Sequence, residues 1–431
     1  MPKVLYICHN HPGVRAGGGE MYAHELFRAV RDAGEFDPIF VTKAGPPFSD
    51  QLPNEGTRFG VIDFDPREYS FYTRREEWDF LLGTARRKGL YIDDWRQFLE
   101  AQMPDVVHFQ HTLFLGLDML RVTRRMLPEA PILYTLHEFM PICHRNGKMV
   151  RTDDVRGAGG ELCDHASPLR CHECFPNISA QSFLLRERFI KAALEHVDLF
   201  IAPSEQLRRL FIEWGIPEEK IRYEEYGRLP LPPSDDPPDA GRRRRIGFFG
   251  QITPFKGVEV LLEAMRILGE EGTQVELLLH GGNLEFTPEP FQEQIAKLVQ
   301  DTAGNVRFPG TYEHARLPPL IRAVDWVVVP STWWENSPLV IQEAMMCGRP
   351  VICSDIGGMA EKVRDGVDGL HFRVGDPRSL ADTIARAVST PKLWDTLAGQ
   401  IVGAHPMDDH LVTISAYYRE LMARQHDSLA V

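Results

Sequence analysis

Short apolar runs with little polar alternation punctuate the chain from one end to the other. Val4-Leu-Tyr-Ile-Cys8, Val106-Val-His-Phe109, Ile132-Leu-Tyr-Thr-Leu136 and Leu199-Phe-Ile-Ala202 lie in the first half, with shorter runs at Pro38-Ile-Phe-Val41 and Val61-Ile62. Ile246-Gly-Phe-Phe-Gly250, Val275–Leu279 and Val327–Val329 lie in the second. A strand with one wet face alternates apolar and polar residues, whereas a run that is apolar throughout is buried on both faces. That is the condition of a parallel sheet covered by helices, and helical stretches separate most of these runs. The alternation stops at the proline-rich stretch Gly227–Gly241 and then restarts. The pattern predicts an α/β protein with two Rossmann-like halves.

The 431 residues suffice for two or three cores, and 43% apolar with 25% charged residues is ordinary for a globular chain. The formal charge, 48 − 61 = −13, argues against a general nucleic-acid binder, since cationic contacts to phosphate dominate that affinity. No apolar run approaches the ~20 residues needed to span a bilayer. The chain starts almost at once with a strand, so no signal peptide is expected and the setting is read as cytoplasmic. There the seven cysteines should be reduced or metal-bound.

One strand–loop–helix unit, Asp325-Trp-Val-Val-Val-Pro-Ser-Thr-Trp-Trp-Glu335-Asn-Ser-Pro-Leu-Val-Ile-Gln-Glu343, concentrates the chemistry. Ser337 reads as the helix N-cap and Pro338 as the first helical residue, where no amide hydrogen is missed. Gly348 suits the left-handed position after the helix, and Pro350 forbids continuation. Glu335 then lies just ahead of the helix and Glu343 within it, so both carboxylates face one cleft roughly 10 Å apart. The free amides of Leu339 and Val340 lie between them and, with the helix dipole, make an anion site. Carboxylate, phosphate socket, carboxylate is a layout that holds a sugar, a diphosphate and a ribose in that order.

In the first half, a strand leads through Gly17-Gly18-Gly19 into a helix whose apolar face includes Tyr22, Leu26 and Val30. Glycines in a loop let backbone approach a ligand with no Cβ in the way. His108 and His111 end one strand, and His137 with Glu138 end the next, where ligands of open α/β sheets gather. Residues 66–103 read as an inserted helical hairpin, with Trp78, Leu81 and Leu82, then Tyr91, Ile92, Trp95, Phe98 and Leu99, at helical spacing. Arg86-Arg-Lys88 and Arg124-Arg125 are candidates for peripheral contact with the inner face of a membrane. Cys143, Cys163, Cys171 and Cys174 fall in the irregular segment 143–176. The Cys171-His-Glu-Cys174 spacing suits a structural zinc, with His144, His165 and His172 as substitute ligands and free thiols as the alternative.

Taken together these segments resemble the retaining glycosyltransferases of GT-B fold, family 4 in particular. The resemblance covers nearly the whole chain and is most specific in its second half. Glu335 and Glu343 match the Glu-x7-Glu motif, and Gly250-Gln251…Lys256-Gly257 matches Gly-Arg-x-x-x-x-Lys-Gly with glutamine in place of arginine. Arg307-Phe-Pro-Gly310 with Tyr312, then Val351–Glu361 and Asp365-Gly366, continue the match. His108 to His111 and Thr135-Leu-His137-Glu138 resemble family segments in which Asp is usual where Glu138 stands. Asp63-Phe-Asp65 matches the Asp-x-Asp metal motif of GT-A transferases, but it is common by chance and unsuited to this architecture.

The resemblance implies two Rossmann-like domains with mainly parallel sheets facing a central cleft. The boundaries read as an acceptor-side domain 1–226, a linker 227–243, a nucleotide-sugar domain 244–405, and a C-terminal helix 406–431 crossing back to the first domain. A nucleotide-diphosphate sugar is the implied donor, a glycan, lipid-linked or small molecule the acceptor, and no cofactor is needed for catalysis. Glu343 would bind the ribose and Glu335 the sugar hydroxyls. Lys256 with the amides of Leu339 and Val340 would stabilise the leaving diphosphate. Gly250, Gln251, Tyr312, Asn336 and Ser337 would complete the donor site, with Gly17, Gly18 and Gly19, and with Arg15 beside them, closing over it. His137 would lie near the reacting centre, with His108, His111 and Glu138 on the acceptor side. Other readings of such a chain are a GT-B epimerase or phosphorylase, or a non-catalytic sugar- or lipid-binding scaffold.

Overall fold

The computed structural model describes residues 1–14, 17–47, 49, 57–62, 65–86, 92–151, 160–232, 243–302 and 304–429, the side chains of 425–429 excepted. The expectations placed on Arg15, Asp63, Arg87, Lys88, Tyr91 and residues 233–242 lie outside these. The chain divides into two compact units, one of Met1–Lys148, Asp164–Leu229 and His405–Val431, the other of Met149–Cys163 and Pro230–Ala404.

The first unit is built on eight strands. From edge to edge they are Ile221–Tyr223, Leu199–Ala202, Ile132–Thr135, Val106–Phe109, Lys3–Cys8, Asp37–Ala44, Glu68–Tyr72 and Phe59–Val61. All neighbours are parallel except the last pair. Tyr6 lies between Phe40 and His108 in register. The helix Gly18–Ala33 buries Tyr22, Leu26 and Val30, as its spacing predicts, and Gly34 ends it in the left-handed conformation at φ 69°. The C-terminal helix Met407–Leu429 also belongs to this unit. Its buried Tyr418 hydroxyl lies 2.8 Å from the Tyr6 hydroxyl and 2.7 Å from His108 Nδ1.

The insertion is helical only in its second half. Trp95, Phe98 and Leu99 are buried on the helix Ile92–Gln102 as expected. Glu68–Tyr72 instead extends the main sheet beside Asp37–Ala44, and Trp78–Asp79 pairs with Thr84–Ala85 in a small hairpin. Asp79 Oδ1 accepts the amides of Leu81 and Leu82, and Gly83 adopts φ 64°. An aspartate-capped turn closed by a left-handed glycine outcompetes helix here, whatever the apolar spacing. Arg124 is engaged within the fold. Its guanidinium donates to the carbonyls of Pro128, Ala130 and His196 and to Asp198 Oδ2, tying a helix end to the sheet.

The second unit is one parallel sheet in the order Val306–Gly310, Glu276–Gly282, Arg245–Gln251, Trp326–Val329, Val351–Ser354, Gly369–Phe372. Counted within the unit this is 3-2-1-4-5-6, the dinucleotide-fold order. Trp326 and Val328 face one apolar layer, and Val327 and Val329 the other. Both faces are therefore dry, which is why the run lacks polar alternation. Among the described residues no helix is long and apolar enough to cross a membrane.

Candidate functional site

In the second unit the strand order reverses between Arg245–Gln251 and Trp326–Val329, and the loops that follow these two strands carry Lys256 and Glu335. Backbone contacts dock the loops before any side chain acts. Thr332 N donates to Phe255 O at 3.0 Å. A Cβ on Gly257 would lie 1.9 Å from the Pro330 carbonyl oxygen, and its φ is 69°, so glycine is required on both counts. From the helix Gly357–Lys362, Gly358 N donates to Glu335 O at 2.8 Å, and a Cβ on Gly358 would sit 1.5 Å from Asn336 O.

Glu335 is buried, and its Oε1 accepts from Lys256 Nζ at 2.6 Å, Ser331 Oγ at 2.8 Å and Trp333 Nε1 at 3.0 Å. The ammonium and carboxylate expected to serve different parts of one ligand are thus each other's partners. The helix begins one residue later than its sequence suggests: Pro338 is the N-cap, Leu339 the first helical residue, and no side chain caps it. Pro338 supplies no amide and sits at ψ 115°, which leaves its carbonyl free to accept Ile341 N at 3.0 Å. Leu339 and Val340 still contribute the first two helical amides. Asn336 and Ser337 are buried beside Glu335. Glu343, also buried, has Oε1 3.5 Å from His314 Nε2. Tyr312 packs edge-on to Phe249 and His280, which stack at 5.1 Å. Burial and then the Glu343 charge push the Tyr312 phenol well up. Gly250 and the exposed Gln251 end the first strand.

Sequence reading missed Glu259, in the first turn of the helix Val258–Glu270. Its Oε2 is buried and finds no hydrogen-bond partner among the described residues. Burial, only partly offset by a backbone hydrogen bond, pushes its pKa up from 4.5 to about 7. A carboxyl whose folded pKa is raised stabilises below its unfolded pKa and loses that contribution as pH rises through the folded one. Glu259→Gln should therefore leave stability unchanged near pH 4 and raise it by about 1–3 kcal/mol at pH 8. Urea melts at the two pH values check this, and an equal effect at both would contradict it.

In the first unit, the loops after Lys3–Cys8, Val106–Phe109 and Ile132–Thr135 bring together His9, Gln110, His111, His137 and Glu138. The His9 and His111 rings lie 4.1 Å apart. His137 Nε2 is 3.0 Å from Gln110 Oε1, and its Nδ1 meets the Tyr226 hydroxyl. Burial holds this imidazole well below its usual pKa, so it is neutral, donating to Gln110 and accepting from Tyr226. The Gln110 Nε2 is buried with no partner among the described residues. His111 Nδ1 accepts Leu113 N at 3.0 Å, so its Nε2 faces Glu138 Oε1 at 3.3 Å as a donor. Glu20, also missed, pairs with His9 at 3.0 Å; burial opposes its charge most, but the bond and charge of His9, a backbone hydrogen bond and the charge of His111 together outweigh it and hold the carboxyl at about 2.

His108 does not belong to this group. It is fully buried, with Nδ1 on Tyr418 and Nε2 on Thr135 Oγ1 at 2.8 Å, and burial lowers it to about 3. It lies inside its strand rather than past the end, so it serves packing. Gly17, Gly18 and Gly19 are not a loop either: Gly17 is the N-cap and the other two open the helix. A Cβ on Gly19 would come within 3.3 Å of the His137 ring, so the glycine lets the helix start lie against the imidazole.

A pocket open to solvent adjoins His111 and Glu138, with Trp78, Phe80, Tyr134 and His144 among its walls. His144 Nδ1 is buried without a partner among the described residues, and Arg186 gives its guanidinium to the carbonyls of Met140, Pro141 and Ile142. The four cysteines fall in both units. Cys171 and Cys174 lie on the short helix Pro168–Cys174, Cys143 precedes it in the same unit, and Cys163 belongs to the other unit. None of the four forms a disulfide among the described residues. Among the described residues, the groups of three metal-ligating side chains with atoms within 4.8 Å of one another contain no cysteine.

Comparison with known proteins adds the following. Residues 17–227 match the glycosyl transferase 4-like domain, and residues 243–390 match glycosyl transferases group 1. A D-inositol 3-phosphate glycosyltransferase of Xylanimonas cellulosilytica is 31% identical over 421 residues, 90% of this chain and 91% of that protein. One from Thermobispora bispora is 26% identical, covering 90% and 85%. With the Actinosynnema mirum protein of the same name the identity is 34%, but over 41% of this chain and only 46% of that one. Among solved structures, sucrose-phosphate synthase of Thermosynechococcus elongatus superposes with a TM-score of 0.72 at 21% identity, covering 98% and 100%. Anabaena HepE in complex with UDP and glucose gives 0.65 at 19%, covering 97% and 100%.

Proposed function

Because this chain belongs to the group 1, family 4-like glycosyltransferases of GT-B fold, we propose that it moves a sugar from a nucleoside-diphosphate sugar to a hydroxyl of an acceptor, with retention of configuration. The observation that carries this is the Lys256–Glu335 ion pair beside the open amides of Leu339 and Val340, at the reversal point of a 3-2-1-4-5-6 sheet. Ligands of such sheets bind at that point, beyond the carboxyl ends of the strands. Glu335, held by three donors through Oε1, turns a fixed carboxylate toward sugar hydroxyls. Lys256 and the two amides receive the diphosphate. Glu343 takes the ribose, and Tyr312 borders the base.

During transfer the bond from C1 to the phosphate oxygen breaks and the bond from C1 to the acceptor oxygen forms on the same face. The acceptor proton passes to the departing phosphate oxygen. The charge growing on the diphosphate meets an ammonium and two amides already in place, the preorganised electrostatic help that usually dominates such catalysis. A pyridoxal-phosphate phosphorylase would need a Schiff-base lysine near the cleft, and Lys256 is engaged by Glu335 at 2.6 Å instead.

The acceptor binds in the cavity of the first unit. Trp78 and Phe80 give a sugar an aromatic face, and His111, Glu138 and the unpartnered His144 Nδ1 meet its hydroxyls. His137 and the free Gln110 amide complete the acceptor side. Among the described lining residues the one permanent cation, Arg186, is committed to backbone carbonyls. A neutral pyranose therefore fits better than the inositol phosphate of the relatives' name.

Incubating the protein with a panel of nucleotide sugars tests the reading. Release of nucleoside diphosphate should depend on an added sugar acceptor, and proton NMR should show the donor's anomeric configuration kept in the product. Inversion, or sugar turnover that ignores the acceptor, would refute it.

A further inference from the structure

Outside both sites, three side chains meet where the chain leaves the first unit and where it returns. Glu224 follows the strand Ile221–Tyr223, and His405 and His410 flank the start of the C-terminal helix. Glu224 Oε1 accepts from His405 Nε2 at 3.0 Å and from His410 Nδ1 at 2.9 Å. One ligand atom of each residue lies within 4.8 Å of the other two. Backbone bonds hold the segments together independently of these side chains: Arg228 N donates to His405 O and Met407 N to Arg228 O, each at 2.9 Å. Gly227 presses on His410 so closely that a Cβ there would lie 2.9 Å from its Cγ, which fixes the ring.

A second cluster, His11, His24 and Glu68, has the same composition but the wrong proton arrangement. His11 Nδ1 accepts Gly13 N at 3.1 Å, so its Nε2 keeps the proton given to Glu68 and has no lone pair for an ion. Around Glu224 that obstacle is absent. The far nitrogen of His410, Nε2, meets the Tyr22 hydroxyl at 2.9 Å, a group that accepts a proton as readily as it donates one. His410 can thus present a bare Nδ1 while Tyr22 anchors its Nε2–H, the usual support of a metal-bound imidazole. His405 is 29% exposed, which leaves an entry route.

We propose that Glu224, His405 and His410 bind a divalent transition cation, zinc above all, as a structural clasp between the exit and the return of the chain. The protons now donated to Glu224 leave, and His405 Nε2, His410 Nδ1 and a Glu224 oxygen surround the ion. Bonds of ~2.0–2.1 Å in a tetrahedron set ligand atoms ~3.3 Å apart, close to the 3.0 and 2.9 Å at which the two imidazoles now stand from Glu224 Oε1. Small side-chain rotations supply that difference. Water or the second Glu224 oxygen takes the fourth position.

Full-length protein stripped with a chelator and titrated with zinc chloride against a chromophoric chelator decides the matter. One ion per chain is expected, bound at least ~100-fold more weakly by Glu224→Gln and His405→Ala and roughly 10- to 100-fold more weakly by Tyr22→Phe. Cys143→Ser and His24→Ala should keep it, and cobalt in its place should show no thiolate charge-transfer band. The proposal falls if the parent takes up no zinc, if Glu224→Gln and His405→Ala bind it unchanged, or if Cys143→Ser loses it. Glu224→Gln keeps the shape of the side chain, so it carries the test should His405→Ala not fold.

Discussion

Lys256→Ala slows sugar transfer by roughly 10² or more, the scale of losing one preorganised donor to a developing oxyanion. The substitution also strips the buried Glu335 carboxylate of its ammonium, which now sits at 2.6 Å. An uncompensated charge in a buried position is costly, so the second unit should melt earlier as well. The side chain of Lys256 is 30% exposed, which limits that penalty to about 1–3 kcal/mol. The two effects separate in the double variant Lys256→Ala/Glu335→Gln. Removing the orphaned charge should recover most of the stability and none of the rate, a non-additivity expected of side chains in direct contact. Steady-state kinetics and thermal melts on the two single variants and the double variant supply the comparison. A double variant that regains transfer would show that Lys256 acts only as a counter-ion.

Glu343→Ala weakens nucleoside diphosphate binding by one to two decades while leaving the fold intact. Glu343 is 4% exposed and lies beside His314 and Tyr312, so water does not substitute well for a lost carboxylate there. Hydrogen bonds from ligand hydroxyls to a charged acceptor are worth ~1.5–3 kcal/mol, which gives that range. Calorimetric titration of parent and variant with a nucleoside diphosphate is the measurement. Equal affinities would remove Glu343 from the ribose site and with it the order of groups proposed along the helix Leu339–Met346.

The strands were legible because a doubly buried run has a local signature. Val327–Val329 and Val4–Cys8 read as parallel strands and are. Glu335, Glu343 and Lys256 stood out because their spacing matched a motif. The stretch Trp78–Ala85 misled because its apolar spacing suits a helix, while Asp79 and Gly83 carry a turn that periodicity does not weigh. Ser337 misled for a similar reason: it is a good cap, but Pro338 takes the position.

The sequence by itself determined the class of fold and supplied the residue types proposed for the donor site. These depend on local patterning, burial period and glycine placement. Only the tertiary structure decided which charges meet. Lys256 and Glu335 are 79 residues apart, His137 and Tyr226 are 89, and Glu224 and His410 are 186. The same folding that joined these pairs withdrew His108 into the core. A side chain's role follows from its hydrogen-bond partner and its access to water, and folding sets both across distances that no local pattern records.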